Sequence, residues 1–205
     1  MIRYRTVEKE ACTEQIIERS RFIAHIARAH SREEAENYIR AIRTQYRDAT
    51  HNVPCFIIGE KQELMWASDD GEPSGTSGAP MLQMFAREGL TNLVCVVTRY
   101  FGGIKLGTGG LVRAYTSSAV MALEAAGIHA VRDLCAAELE IPYTLLGKVQ
   151  NMALSLPFEI GGISYTDVVT LQISYAPEDE FTVLAPLREL TSGELLLSEI
   201  RKFLK

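Results

Sequence analysis

The sequence predicts an α+β protein of two domains, and three observations support this prediction. Up to about residue 132, strand-like alternation gives way repeatedly to helical spacing of apolar residues. Beyond that point the pattern follows the order β-α-β-β-α-β, which is the ferredoxin-like arrangement. The charge changes there too, because residues 1–133 carry 16 basic and 16 acidic residues whereas residues 134–205 carry 5 and 10. We therefore place the domain boundary near Arg132–Asp133, giving domains 1–132 and 133–205.

The first domain is expected to contain several strands and three helices. Its predicted strands cover residues 21–28, 52–59, 63–68 and 93–97, and the last is a continuous apolar run typical of a strand buried on both faces. Ser31-Arg32-Glu33-Glu34 has the form of a capping box and predicts the start of the first helix. The apolar face of that helix is Ala35, Tyr38, Ile39, Ile42 and Tyr46. The other helices are expected at about 80–88 and after a glycine-rich segment, where Gly127 ends the last one.

The second domain alternates more regularly between strands and helices. Its predicted strands cover residues 134–141, 158–165, 167–175 and 194–203, and its predicted helices cover 143–156 and 177–191. Gly193 is expected to open the last strand, and Pro186 interrupts the second helix.

The composition favours a cytoplasmic protein. No apolar run approaches the 18 or so residues that a membrane span needs, and the polar N-terminus does not resemble a signal peptide. The four cysteines are scattered through strand-like segments. This spacing predicts neither a zinc site nor disulfides, and we expect reduced thiols in the core.

The strongest functional signal lies between Thr98 and Arg113, where five glycines separate a predicted strand from a predicted helix. The first turn of a helix has unpaired N–H groups and the positive end of the helix dipole, so it favours anions. No Asp or Glu occurs from Gly89 through Leu123. We therefore predict a phosphate or nucleic-acid site formed by Arg99, Tyr100, Phe101, Lys105, Gly107, Thr108, Gly109, Gly110 and Arg113. The alternative is that the glycines only shape a tight turn.

Common nucleotide-binding motifs do not fit this segment. Counting from Gly102, Thr108 stands where a Walker A loop needs lysine. Val112 stands where a dinucleotide fingerprint needs its third glycine or alanine.

A second loop, Gly75-Thr76-Ser77-Gly78, has a similar sequence and also precedes a predicted helix. Two such helix starts facing one ligand would form a shared site, although Thr and Ser acting as simple N-caps is the favoured interpretation. The candidate residues of this secondary loop are His51, Glu72, Ser74, Gly75, Thr76 and Ser77. Asp69, Asp70 and Glu72 are acidic but lack the spacing of a known metal loop, so we expect no metal site. We also expect no catalytic residue, because a lone His51 beside a strand is typically structural.

Three segments together resemble the hallmark sequences of the IMPACT family, in its bacterial YigZ-like group. They are Ala49-Thr50-His51-Asn52-Val53-Pro54, the run from Ser68 to Pro80, and the run from Thr98 to Tyr115. The resemblance implies a ribosomal protein S5 domain 2-like fold for residues 1–132. It also implies that the ferredoxin-like residues 133–205 are similar to the last domain of the translocating elongation factor. The pair together is similar to that factor's two C-terminal domains, which reach toward tRNA and the decoding region of the ribosome.

The resemblance also implies a function in translation. Eukaryotic relatives act in translational control, by interfering with activation of a kinase that senses amino-acid starvation. We therefore expect a non-enzymatic, cytoplasmic regulator that binds RNA or the ribosome, without a cofactor and without a membrane partner. Two alternatives stay open: an enzyme for a phosphorylated ligand, related to small-metabolite kinases, and a protein-interaction module that acts on a translation factor.

Overall fold

The structure is a computed structural model that describes residues 2–191 and 196–204. These residues form a mixed α+β protein with two antiparallel sheets and five α-helices. The α+β prediction is therefore confirmed at this level. The chain divides into two compact units, one of Tyr4–Ala130 and one that combines Met1–Arg3 with Val131–Lys205.

The first unit is built on a five-stranded sheet with the strand order β2-β3-β6-β4-β5. Its strands are β2 (Ala11–Ile17), β3 (Ser20–Arg28), β4 (His51–Ile58), β5 (Leu64–Ala67) and β6 (Leu93–Tyr100). Every neighbouring pair is antiparallel. The strand order puts β6 in the middle, and its side chains alternate between two apolar cores, one on each face of the sheet. The prediction of a strand buried on both faces is thus confirmed.

Helices cover both faces of this sheet. Helix α1 (Arg32–Gln45) covers one face with Ala35, Ile39 and Ile42, as its apolar spacing predicts. The hydroxyl of Ser31 caps it by accepting a hydrogen bond from the Glu34 N–H at 3.1 Å. The opposite face is covered by α2 (Gly78–Arg87) and α3 (Gly107–Ala126).

The ends of two elements in this unit differ from the predictions, and a third ends where it is expected to. Helix α2 begins two residues earlier than expected, at Gly78. Strand β6 continues through Tyr100, because Thr98 and Arg99 still pair with the strands on either side. Helix α3 ends as predicted at Gly127, whose φ of 72° lies in the left-handed region that glycine adopts without strain.

Three of the four cysteines lie in the core, and one does not. Cys55 and Cys95 are buried directly opposite each other on β4 and β6, and Cys135 is buried in the second unit. A hydrogen bond that the Cys55 thiol donates to Cys95, together with burial, raises the pKa of Cys55 well above its ordinary value. The prediction is wrong for Cys12, which is exposed because it alternates with inward-facing residues on the edge strand β2.

The second unit contains strands and helices in the predicted β-α-β-β-α-β order. They are β7 (Ile128–Ile141), α4 (Leu146–Ala153), β8 (Phe158–Tyr165), β9 (Val169–Tyr175), α5 (Glu180–Leu190) and β10 (Leu196–Leu204). Their antiparallel order in the sheet is β10-β7-β9-β8, and β1 (Ile2–Val7) also neighbours β7. An apolar core lies between the sheet and the two helices.

The ends of strands and helices in the second unit differ from the predicted ends in three places. Strand β7 begins at Ile128 rather than Leu134, because the chain becomes extended immediately after Gly127. The first predicted turns of both helices are short 3₁₀ segments, Tyr143–Leu145 and Pro177–Asp179. Gly193 and Glu194, which were expected to open the last strand, lie outside the described residues. Among the helices of the described residues, none combines the length and apolar character needed to cross a membrane.

Candidate functional site

The three hallmark segments meet at a buried polar network centred on Glu72. Its carboxylate oxygen Oε1 accepts hydrogen bonds from Arg99 Nη1 at 2.6 Å and from the hydroxyl of Tyr115 at 2.7 Å. Glu72 lies in the loop before α2, Arg99 on β6 and Tyr115 on α3. Burial, followed by the charge of Glu72, raises the pKa of Tyr115, so its hydroxyl stays a donor. The network therefore joins one loop, the sheet and the long helix through charge-assisted bonds.

Arg99 is held from all sides within this network. Its Nη2 donates to the Ser20 hydroxyl at 3.2 Å, and its guanidinium lies 5.4 Å from the ring centroids of both Phe22 and Phe101. The Arg99 Nε atom is buried without a hydrogen-bond partner among the described residues. With only 5% of its surface exposed, Arg99 is an internal counter-ion. Its placement does not match the expectation that it contacts phosphates together with Lys105 and Arg113.

His51 and Asp70 extend the network toward the surface. His51 Nδ1 lies 2.7 Å from the backbone carbonyl oxygen of Asp70, so this nitrogen carries the donated proton. The other ring nitrogen, Nε2, lies 3.9 Å from Glu72 Oε2. The Asp70 carboxylate accepts from the backbone N–H of Asn52 and from Arg43 Nη2, both at 2.7 Å. These contacts fix the conformation of the loop that carries Glu72.

The secondary loop before α2 is occupied by the protein's own carboxylate. Asp69 Oδ1 accepts from Ser77 N at 3.1 Å, from Ser77 Oγ at 2.7 Å and from Gly78 N at 2.9 Å. Its Oδ2 accepts from Gly75 N at 2.7 Å. Burial alone would raise the pKa of Asp69, but these hydrogen bonds outweigh it and hold the pKa below its ordinary value. An internal anion thus fills the helix start that a ligand would need.

This arrangement corrects the expectation that Thr76 and Ser77 act as N-caps. Ser77 occupies the N-cap position but makes no side-chain capping bond, because its hydroxyl donates to Asp69. The Thr76 hydroxyl donates to the carbonyl oxygen of Pro73 at 2.6 Å. The early start of α2 has the same cause, since Asp69 accepts from Gly78 N. Among the candidate residues of this loop, Ser74 and Gly75 are exposed and Glu72 is buried.

The acidic residues of this region are each engaged by donors of the protein itself. Asp69 binds backbone N–H groups, Asp70 pairs with Arg43, and Glu72 pairs with Arg99. Across the described part of the chain, no group of three His, Cys, Asp or Glu side chains is arranged to hold a metal ion.

Most glycines of the first loop have structural reasons for being glycine. A side chain at Gly102 would collide with the backbone of Arg19, and Gly102 N donates to Ser20 Oγ at 3.2 Å. Gly103 and Gly107 have φ values of 86° and 69°, which glycine adopts freely. At Gly110, a Cβ atom would approach Leu106 Cβ to 3.0 Å.

Gly109 differs from these four glycines. It lies in the first turn of α3 without a positive φ, and a Cβ there would meet only the Arg113 side chain, at 3.5 Å. Within a helix, glycine is less favourable than alanine by roughly 0.5–1 kcal/mol. The fold therefore does not require glycine at this position.

The start of α3 is open, unlike the start of α2. Its N-cap residue, Leu106, makes no side-chain capping bond, and the first turn contains no acidic residue. Gly107, Thr108 and Gly109 are exposed. Lys105 and Arg113 are also exposed, and both line one groove of about 450 Å³ beside the helix. A cation near a helix N-terminus is unfavourable unless an anion is bound, so this surface is suited to phosphate.

The two aromatic residues of the loop lie at the surface, and each has an arginine packed against it. The guanidinium of Arg21 lies 5.7 Å from the ring centroid of Tyr100, whose hydroxyl donates to Asp48 Oδ1 at 3.0 Å. Phe101 is 47% exposed, with Arg99 beneath it. Both rings are therefore held in position, and that of Phe101 is accessible.

Sequence reasoning missed the other side of the groove. Ile17, Glu18 and Ser117 line it together with Lys105 and Arg113. Glu18 and Arg19 form the two-residue turn between β2 and β3, with φ values of 45° and 63°. Two-residue turns of this kind usually carry Asn-Gly or Asp-Gly, so the usual sequence signal is missing here.

The comparisons with known proteins agree with the hallmark segments. A family model described as the Impact N-terminal domain matches residues 18–123, and one described as a domain of unknown function (DUF1949) matches residues 139–194. IMPACT family member YvyE of Bacillus subtilis is 39% identical over 96% of this chain and 90% of its own length. IMPACT family member YigZ of Escherichia coli is 31% identical over 91% of this chain and 92% of its own.

A solved structure supports the same relationship. A crystal structure described as that of a hypothetical protein has 29% sequence identity and a TM-score of 0.60, and the match covers 97% of each chain. Both family models follow one another along the chain in the order of its two compact units. The chain therefore belongs to the IMPACT family, in its bacterial YigZ-like group, as the sequence predicts.

Proposed function

We propose that this protein is a non-enzymatic, cytoplasmic regulator of translation that binds RNA or the ribosome through the start of α3. The single observation that carries the proposal is the open helix N-terminus with two exposed cations beside it. Lys105 and Arg113 form no ion pair within 4.0 Å among the described residues. The first-turn N–H groups of Gly107–Gly109 have no helical acceptors. A phosphate would compensate both cations and these donors.

Gly109 supports this proposal independently of charge. The fold does not require glycine there, yet a missing side chain lets a phosphate approach the backbone closely. Arg113 Nη1 lies near the space that a side chain at Gly109 would occupy. A phosphate at this point would contact the backbone and the guanidinium together, which is a strong charge-assisted arrangement.

The proposal assigns different roles to the three basic residues of the loop. Lys105 and Arg113 contact phosphate, whereas Arg99 acts from inside by supporting the exposed ring of Phe101. Phe101 then offers a surface for stacking on an unpaired base, and Tyr100 offers a second one. In this assignment the buried network of Glu72, Arg99 and Tyr115 positions the binding surface.

The domain identities follow from the same family membership. We propose that residues 1–132 have the S5 domain 2-like fold and that residues 133–205 resemble the last domain of the translocating elongation factor. The β-α-β-β-α-β order and the sheet order β10-β7-β9-β8 support a ferredoxin-like second domain. Fold similarity supports a place in translation only by association, so the RNA contact needs its own test.

The test measures binding of tRNA and of ribosomal subunits by fluorescence anisotropy across a series of salt concentrations. Wild type should lose affinity as salt rises, because phosphate contacts release counterions. Lys105→Glu and Arg113→Glu should weaken binding, and Arg113→Met should reduce the slope of log K against log salt by about 0.7 if one single-strand phosphate contact is lost. Arg87→Glu is the matched control, since Arg87 is exposed in the last turn of α2. Binding that does not depend on salt, or an equal loss with Arg87→Glu, would overturn the proposal.

The second unit favours a protein partner over nucleic acid. Residues 134–205 carry ten acidic and five basic side chains, and Phe181 on α5 is 85% exposed. An exposed aromatic ring within an acidic region suits a basic protein surface with an apolar pocket. Co-purification from lysate with and without nuclease tests this second candidate. A partner that is retained after nuclease treatment and lost in Phe181→Ala supports it, and a partner released by nuclease contradicts it.

A further inference from the structure

The groove beside α3 has walls of different chemistry, and this difference points to a particular ligand. Its volume is about 450 Å³, within the roughly 300–1,000 Å³ typical of small-ligand sites. One part carries the cations Lys105 and Arg113, and another carries the carboxylate of Glu18. The remaining lining is mostly apolar and consists of Ile17, Ile104, Leu106, Ala114, Gly110 and Ser117.

The three charged side chains of the groove have no ion-pair or hydrogen-bond partners in the part of the chain that the structure describes. None of the ion pairs or hydrogen bonds found among the described residues involves the side chain of Glu18, Lys105 or Arg113. By contrast, Glu14 on the neighbouring strand is paired with Arg21 at 2.7 Å. The groove therefore keeps separate cationic and anionic groups available to one ligand.

The position of Glu18 is fixed by the fold rather than by a loose loop. Glu18 and Arg19 both have left-handed φ values, a backbone conformation that is strained for residues other than glycine. The turn is held because Gly102 packs directly on the Arg19 backbone and donates to Ser20 Oγ. A strained turn that is kept in place in this way holds its acidic side chain beside the groove.

From these observations we infer that the groove binds one guanine nucleotide of the bound RNA. The phosphate lies against Lys105 and Arg113, the base lies between the apolar walls, and the edge of the base meets Glu18. The inference rests on the proposed RNA-binding function and adds a preference for one base.

The carboxylate explains why guanine is selected. Guanine presents two neighbouring donors, N1–H and N2–H₂, which match the two oxygens of a carboxylate. Adenine and cytosine each place a ring-nitrogen acceptor beside their amino group, and uracil places carbonyl oxygens on both sides of its N–H. These acceptors would face the charge of Glu18, so only guanine makes two charge-assisted bonds without repulsion.

The same chemistry is offered by a free guanine nucleotide and by a guanine within RNA, so the experiment has two arms. One arm measures 5′-GMP, 5′-AMP, 5′-CMP and 5′-UMP by isothermal titration calorimetry. The other arm measures labelled hexauridine RNA in which one central base is replaced by guanine, adenine or cytosine. We expect the guanine RNA to bind about tenfold more tightly than the others, the gain typical of a bidentate base contact. Free GMP should show the same preference with lower affinity.

Variants test whether the preference for guanine depends on Glu18. Glu18→Ala should remove the guanine preference while leaving affinity for plain hexauridine nearly unchanged. Arg113→Met should weaken binding of every RNA without altering the ranking of the bases. Glu124→Gln is the matched control, because Glu124 is exposed farther along α3. Far-ultraviolet circular dichroism of each variant confirms that the fold is intact.

The outcomes separate this inference from the proposed function. Salt-dependent RNA binding with equal affinity for all four bases overturns the guanine site and leaves the RNA-binding proposal standing. A guanine preference that survives in Glu18→Ala also overturns it. Glu18-dependent binding of GMP without any RNA binding would keep the guanine contact but reject RNA as its source, together with the proposed function. Absence of binding in both arms rejects both.

Discussion

Helices α2 and α3 begin with similar sequences, but the N–H groups at their N-termini have opposite charges beside them. Gly75-Thr76-Ser77-Gly78 leads into α2, and Gly107-Thr108-Gly109-Gly110 forms the first turn of α3. At α2, the carboxylate of Asp69 accepts three backbone N–H bonds and one hydroxyl bond. At α3, no acidic residue lies in the first turn, and Lys105 and Arg113 stand nearby. One helix start is internally neutralised, whereas the first turn of the other contains no acidic residue and no side-chain cap.

The difference teaches that a glycine-rich helix start has to be judged together with the residues before it. The acid of the α2 loop comes six residues before Gly75, within the same hallmark segment. The α3 loop follows a segment without Asp or Glu from Gly89 onward. Similar loops therefore have different electrostatic surroundings, since only the α2 loop supplies a carboxylate to its own helix start.

The largest expected effect on stability concerns the buried ion pair of Glu72 and Arg99, which supports the loop before α2. Arg99→Met removes the partner of Glu72 and leaves its carboxylate buried with only Tyr115 as a donor. Removing one member of a buried ion pair typically costs about 3–5 kcal/mol of unfolding free energy. Urea unfolding followed by Trp66 fluorescence measures this cost, because Trp66 is the only tryptophan of the chain and lies in the first unit.

The control for this prediction replaces both partners. Arg99→Met combined with Glu72→Gln should cost less than Arg99→Met alone, since no uncompensated charge remains buried. An additive loss in the double variant would show that the two side chains act independently and would contradict the network.

The next largest effect is expected at the start of α2. Asp69→Ala leaves the N–H groups of Gly75, Ser77 and Gly78 without their acceptor. Loss of a helix cap costs about 0.5–2 kcal/mol, and three donors place the loss at the upper end of that range. Asp69→Asn keeps one acceptor oxygen and should give an intermediate loss in the same unfolding experiment. Equal stability of wild type and Asp69→Ala would mean that α2 does not depend on its internal anion.

The same carboxylate predicts how stability depends on pH. The folded state holds the pKa of Asp69 below its ordinary value of 3.8. The stabilisation is therefore fully present above that value and is lost as the pH falls through the lower pKa of the folded state. The difference in unfolding free energy between wild type and Asp69→Asn should stay constant near neutral pH and shrink below about pH 4. A difference that grows in acid would contradict the assignment.

The sequence predicts the scaffold better than the site, for a physical reason. The spacing of apolar residues predicts α1, and a continuous apolar run predicts β6. Gly127 predicts the end of α3. These elements therefore follow from the sequence alone. The roles of Arg99 and Glu18 depend on strand pairing, which brings distant segments together. An arginine next to a glycine loop looks like a phosphate ligand until its alternation on β6 places it inside, opposite Glu72.

The smallest expected change in stability comes from placing a carboxylate at the start of α3, as Asp69 provides one at the start of α2. Gly109→Asp places a carboxylate in the first turn of α3, where it should stabilise the helix by about 0.3–1 kcal/mol relative to Gly109→Ala. Alanine is the matched reference because it removes the flexibility of glycine without adding charge. The advantage of aspartate over alanine should decrease with added salt, which screens exposed charges. The same aspartate should abolish RNA binding, whereas alanine should reduce it far less. An aspartate variant that is less stable than the alanine variant at low salt would mean that the α3 start is not short of negative charge, and the contrast between the two helices would then lie in geometry alone.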